Sequence, residues 1–231
     1  MRLALACVFA AVALVEPAPA QANLSAGGRE VRLGDGSLVH RSQYPMHDLE
    51  SLDLAQSTSL VLRWQEDWPT GTQTRYRIRL EDGRNFGRVR TLRGALHLQR
   101  GSFDPLISSP PAPVEGLSAS GLLRLVQFKT EIIPAYRQEL RAAGISLTSF
   151  LPEQTLLVNL EQAQQSDLES FDFVRWVGDY PASYRLEQAL LDGWVAGTLP
   201  SRARYRLQVL ERGLAMKRTV ADRLLALGAT I

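Results

Sequence analysis

Few residues of this chain could do chemistry. Its 231 residues include three histidines, His40, His47 and His97, and one cysteine, Cys7. Nucleophilic catalysis needs a nucleophile, a base and an acid that orients the base. A protein-bound zinc needs three or four His, Cys or carboxylate ligands at short, recognisable spacings. None of the three histidines stands at such a spacing from another His, a Cys or a paired carboxylate. Each therefore reads as a surface or packing residue. Gly116-Leu117-Ser118-Ala119-Ser120-Gly121 lacks the spacing of a nucleophile elbow. Gly34-Asp35-Gly36 and Asp82-Gly83 read as turns, not phosphate cradles. Asp167 and Glu169 belong to a solvated helix face. The sequence thus offers no catalytic, cofactor-binding or metal-ligating residue.

Binding chemistry is equally sparse. Arg75, Arg77 and Arg79 alternate with Tyr76, Ile78 and Leu80. This is the period of a half-buried strand, and it makes the arginines a solvated strand face rather than a site for an anionic partner. The net charge of +2 argues against a nucleic-acid partner. Of the four tryptophans, Trp176 sits in a strand-like run, where core packing or a sheet-surface contact is its natural role.

The N-terminus carries an export signal. Met1-Arg2 is positive, residues 3–14 are apolar, and Glu16-Pro17 ends the run. Ala18-Pro19-Ala20 then fits a cleavage site between Ala20 and Gln21, with a cut after Ala22 as the other choice. Cys7 falls inside this signal, so the mature chain has no thiol nucleophile and no disulfide. The expected location is secreted or periplasmic. No other run is apolar enough to span a membrane, so no stable insertion is expected after cleavage.

The expected fold class is α+β. Residues 21–36, rich in Gly, Ser and Ala, read as a mobile leader. Residues 37–104 read as a β-rich region. Residues 105–120, with Pro110, Pro111 and Pro113, read as a linker and the clearest domain boundary. Residues 121–184 give the order βαββαβ, the ferredoxin-like plan. Its first helix is expected to begin near Pro134, to bury Ala135, Tyr136, Leu140 and Ala143, and to end at Gly144. Its second is expected over residues 161–170, with Ala163 and Leu168 inward. Residues 185–201 read as a connector with one helical turn near 186–191, broken up by Gly193 and Gly197. Residues 202–231 read as a truncated second copy of the unit. At an offset of 84, Val126 falls on Leu210, Leu140 on Leu224 and Gly144 on Gly228. A repeat that stops inside an element cannot bury its own core, which implies a fragment of a longer protein.

Three stretches carry a family resemblance. They are Gly101-Ser102-Phe103-Asp104-Pro105-Leu106, Leu125-Val126-Gln127-Phe128, and Phe173-Val174-Arg175-Trp176-Val177-Gly178-Asp179-Tyr180. Together they resemble the N-terminal region of large secreted bacterial subtilisin-like serine proteases, ahead of the catalytic domain. The resemblance implies a βαββαβ prodomain that acts as intramolecular chaperone and temporary inhibitor. Its sheet would dock on a subtilisin-like catalytic domain, in cis or in trans, and its C-terminal tail would fill the active-site cleft. Trp176, Tyr180, Pro181, Ala182, Ser183 and Tyr184 are the candidate interface. The family's Asp-Ser/Thr-Gly, His-Gly-Thr and Gly-Thr-Ser motifs do not occur, so no catalytic residue carries over. The alternative is a freestanding secreted protein-binding or protease-inhibitor protein built from tandem ferredoxin-like modules.

Overall fold

A computed structural model describes residues 21–160, 164–210 and 214–231. The export signal, residues 1–20, lies outside the described residues, as do Ala163 and its neighbours 161–162. The chain is mixed α+β, built from several small antiparallel sheets.

The segment read as a mobile leader is ordered into strands. β1 (Ala22–Leu24) and β2 (Glu30–Leu33) pair with each other, and β2 pairs with β3 (Leu38–Arg41). The glycines that suggested flexibility serve its turns. Gly28 (φ +61°) and Gly36 (φ +85°) take backbone angles that L side chains rarely adopt. Val31 at the centre of β2 is fully buried.

β4 (Met46–Leu52), β5 (Leu60–Trp68), β6 (Gly71–Arg79) and the short β7 (Arg90–Thr91) form an antiparallel meander. β5 is buried on both faces, which is why Leu60-Val61-Leu62 is an unbroken apolar run. Leu60, Leu62 and Trp64 pack with Val31, Val39 and Met46 on one side. Val61 and, from β6, Tyr76 and Ile78 face the other. The arginines of β6 are not a solvated face. Arg77 Nε donates to the Gly87 carbonyl at 2.7 Å and Arg77 Nη1 to the Val39 carbonyl. Arg75 lies over the Trp68 ring and Arg79 over Phe86, both at 5.4 Å. These cations cover apolar surface and satisfy loop carbonyls.

After the hairpin β8 (Leu96–Leu98) and β9 (Gly101–Phe103) comes the βαββαβ unit. Its elements are β10 (Leu123–Phe128), α1 (Pro134–Ala142), β11 (Ser146–Leu151), β12 (Thr155–Asn159), α2 (Gln165–Glu169) and β13 (Val174–Asp179). The sheet order is β11-β12-β10-β13, every pair antiparallel. Pro134 opens α1, where a missing N–H costs little, and Gly144 follows it at φ +76°. Ala135, Tyr136 and Leu140 are buried as expected. Ala143 is exposed instead, because the helix has ended and it forms the C-cap.

Residues 105–120 do not separate two cores. One apolar cluster joins Leu52, Leu54, Val61, Tyr76 and Ile78 to Phe128, Tyr136, Leu140, Leu168 and Phe173. The Tyr136 and Phe173 rings stack at 4.3 Å. Burial pushes the Tyr76 hydroxyl up to about 12. Polar ties cross the same junction. Lys129 Nζ lies 2.7 Å from Glu50 and 3.1 Å from Asp172, and Asp172 accepts the Asp53 N–H at 2.8 Å. The β4–β6 meander has an apolar face that needs a cover, and the βαββαβ unit supplies it.

Past β13 the chain makes a 3₁₀ turn (Ala182–Tyr184), then α3 (Gln188–Ala196). α3 exceeds the single turn expected. Gly193 does not break it, and Leu199 packs over that position, where a Cβ would lie 2.7 Å from Leu199 Cδ2. Gly197 (φ +65°) caps it. Among the described residues of the second copy, the helix and its glycine form and no strand does. α4 (Leu214–Ala226) is followed by Gly228 at φ +85°. Residues 207–210, which the offset of 84 aligns with the start of β10, have no partner strand and stay irregular, with Leu207 and Gln208 exposed and Val209 and Leu210 half-buried. No described residue of α4 is buried.

Candidate functional site

The open face of the four-stranded sheet is where the distinctive groups gather. Leu125 and Gln127 on β10 lie opposite Leu157 and Thr155 on β12, and all four are buried. The chain's own segments cover this face, starting with the β8–β9 hairpin.

A bulge in β13 organises the contact. Phe128 pairs with Val174 and Gln127 with Trp176, so Arg175 is the extra residue. Bulges re-aim side chains, and here the guanidinium turns toward the hairpin. Arg175 Nη2 meets both Asp104 carboxylate oxygens, at 2.7 and 3.0 Å. Its Nη1 donates to Gln127 Oε1 and, at 3.2 Å, to the Gly94 carbonyl. Gln127 Nε2 donates to that same carbonyl at 2.9 Å. Gly94 is required for this approach, since a Cβ there would lie 1.9 Å from Asp104 Oδ2 and 2.8 Å from Arg175 Nη2. The network pins the hairpin to the sheet.

Trp176 lies flat over Gly178, where a Cβ would fall 2.0 Å from the indole Cη2. Phe103 meets its ring edge-on at 6.0 Å. Beside it lies a groove of about 340 Å³, lined by Trp176, Gly178, Asp179, Pro181 and Tyr184 on one side and Pro110, Pro111, Pro113 and Ser118 on the other. The proline segment is therefore a strap across the sheet, not a free linker. Proline fixes its own φ and biases the residue before it toward extended backbone, so the composition of residues 109–113 favours an extended, polyproline-like strap. Such backbone has unused carbonyls. Here the Tyr184 hydroxyl donates to the Pro111 carbonyl and Arg100 Nη1 to that of Ala112, at 2.7 Å.

The six residues expected as an interface split accordingly. Trp176, Pro181 and Tyr184 meet in this groove. Tyr180 packs edge-on against Tyr184 at 6.2 Å. Ala182 N–H donates to the Ala119 carbonyl at 2.9 Å and Ser183 N–H to that of Leu117 at 3.0 Å. Pro181, Ser183 and Tyr184 are buried, so this segment closes on the strap rather than projecting from it. The sequence did not mark Arg100 at all, and it offered Phe103, Asp104 and Arg175 only as parts of the stretches that carry the resemblance, not as site residues. The Pro-Pro-x-Pro tract was the available signal, because such tracts pair with aromatic grooves.

The histidines lie elsewhere and apart. His40 stacks on Trp64 at 5.1 Å, and burial holds its pKa below the ordinary value. His47 is exposed between Asp48 (3.0 Å) and Asp67 (3.3 Å), whose hydrogen bonds hold its pKa above the ordinary value. His97 contacts Ser102 Oγ at 2.7 Å in the hairpin. Among the described residues no group of three or more His, Cys, Asp or Glu could hold a metal ion. Among them, too, no helix is long and apolar enough to cross a membrane.

Residues 97–181 match a family model described as a domain of unknown function (DUF8729). The match starts in β8 and ends at Pro181, so it takes in β9, the strap and the whole βαββαβ unit. No curated protein and no solved structure matches the chain.

Proposed function

We propose that this chain is the non-catalytic N-terminal part of an exported subtilisin-like serine endopeptidase, acting as folding aid, inhibitor or protein-docking module for the catalytic domain. The observation that carries the reading is the βαββαβ unit ending in Trp176-Val177-Gly178-Asp179-Tyr180, the stretch on which the family resemblance rests. The contacts of Gln21 and Ala22 are compatible with export. The Gln21 carbonyl accepts the Gly34 N–H at 2.7 Å and Ala22 pairs with Leu33, so a cut after Ala20 spares β1.

The structure narrows how such a module would act. Its open sheet face is occupied internally, so docking would use an edge, the groove or the segment beyond the 3₁₀ turn. A cleft-filling tail would have to start after Arg185, whose Nη2 is tied to the Ala119, Ser120 and Tyr180 carbonyls at 3.0–3.2 Å. The test is refolding. Residues 21–231 added in trans to a denatured subtilisin-like catalytic domain should raise the yield of active protease several-fold. An unchanged yield at saturating chain would refute a chaperone role.

The covered sheet face favours a second reading, a freestanding secreted binding or inhibitor protein. It predicts a soluble, monomeric chain that leaves protease refolding unchanged.

A further inference from the structure

The groove beside Trp176 is built like a receptor for a proline-rich peptide, and the chain already places such a peptide against it. Three features support this. Trp176 and Tyr184 present aromatic surface. Two donors, the Tyr184 hydroxyl and Arg100 Nη1, take consecutive carbonyls of an extended tract. The open space left beside the tract is about 340 Å³. Aromatic surface with hydrogen-bond donors aimed at free carbonyls is how polyproline segments are recognised. Asp179 also lines the groove; its side chain is 69% exposed, with one carboxylate oxygen 3.5 Å from Arg124 Nε. That carboxylate suits a basic residue next to the prolines.

We propose that this groove binds a proline-rich, base-flanked segment of a partner protein, and that residues 110–113 are an exchangeable ligand of the same type held in cis. Pro110 and Pro113 are exposed, so the strap is held by few contacts and can yield. As a tethered ligand it competes at an effective concentration of about millimolar. A free peptide therefore binds weakly to the intact chain and more tightly when the strap is disabled. The inference stands independently of the protease reading, because it rests on groove and strap alone.

The test uses residues 21–231 and the synthetic peptide Arg-Pro-Pro-Ala-Pro-Val, followed through the indole N–H resonance of Trp176. Saturable shifts are expected in the parent chain. A strap variant carrying Pro110→Ser, Pro111→Ser and Pro113→Ser should bind about tenfold tighter, since the internal competitor is lost. Tyr184→Phe, which removes one hydroxyl and little else, should weaken binding in the strap variant about fivefold. A Glu-Pro-Pro-Ala-Pro-Val control should bind less well at Asp179. The proposal is overturned if a folded strap variant shows no saturable shift. It is also overturned if the shifts survive equally for a proline-free peptide, or if the strap variant instead forms a dimer that ignores peptide.

Discussion

The buried pair Arg175–Asp104 makes a quantitative prediction. The Arg175 side chain is 10% exposed and that of Asp104 18%, and the two meet through both carboxylate oxygens. Asp104→Asn keeps the shape of the side chain but removes its charge and half its acceptors. It leaves a mostly buried guanidinium short of a counter-charge. Breaking one partner of a buried pair costs 3–5 kcal/mol, and the residual exposure points to the low end, about 3 kcal/mol. For a chain of this size that lowers Tm by about 6–12 °C. Arg175→Met leaves the Asp104 carboxylate without its guanidinium and should cost a similar amount. The double variant, which holds neither charge, should cost about 2 kcal/mol less than the two single costs added together. Urea unfolding followed by circular dichroism measures all three. If Asp104→Asn stays within about 0.5 kcal/mol of the parent, the pair is effectively solvated and its role in pinning the hairpin is refuted.

Three further outcomes follow. Gly94→Ala forces Asp104 away from Arg175 and should destabilise by about 1–3 kcal/mol in the same unfolding experiment. Burial holds the Glu139 carboxyl above its ordinary value, so the folded state keeps a proton that the unfolded chain releases. That contribution is complete below the ordinary value of 4.5 and is lost as pH rises through the folded one. Glu139→Gln should therefore be more stable than the parent at neutral pH, with the gain vanishing at about pH 4 in denaturant midpoints. The mature protein should begin at Gln21, because a cut after Ala22 would remove residues whose backbone is bonded to β2; intact mass of the exported chain decides it.

Local signals told the truth wherever one face of an element met one environment. β6 was legible because Tyr76 and Ile78 go in while the arginines do not. The βαββαβ order was legible because Gly or Pro bounds several of its apolar runs and keeps its local role on folding, as at Pro134 and Gly144. The reading failed where tertiary contacts decide. Residues 21–36 bury little besides Val31, too weak a signal against their glycines. The arginines of β6 found a carbonyl of β3 and the ring of Phe86, partners that strand periodicity does not show. The strap has no apolar period because its partners are a hydroxyl and a guanidinium donor 73 and 12 residues away. The candidate groove was half legible. Trp176, Pro181 and Tyr184 were singled out, while the residues that turn them into a receptor lie on the hairpin and the strap.

The most direct test of the proposed role is a titration of an active subtilisin-like serine protease with residues 21–231, monitored by hydrolysis of a small chromogenic substrate. The account predicts saturable, competitive inhibition that proline substitutions at Leu186 and Glu187, just past the tied Arg185, abolish in a chain that still folds. Full protease activity at a large molar excess of chain would contradict it.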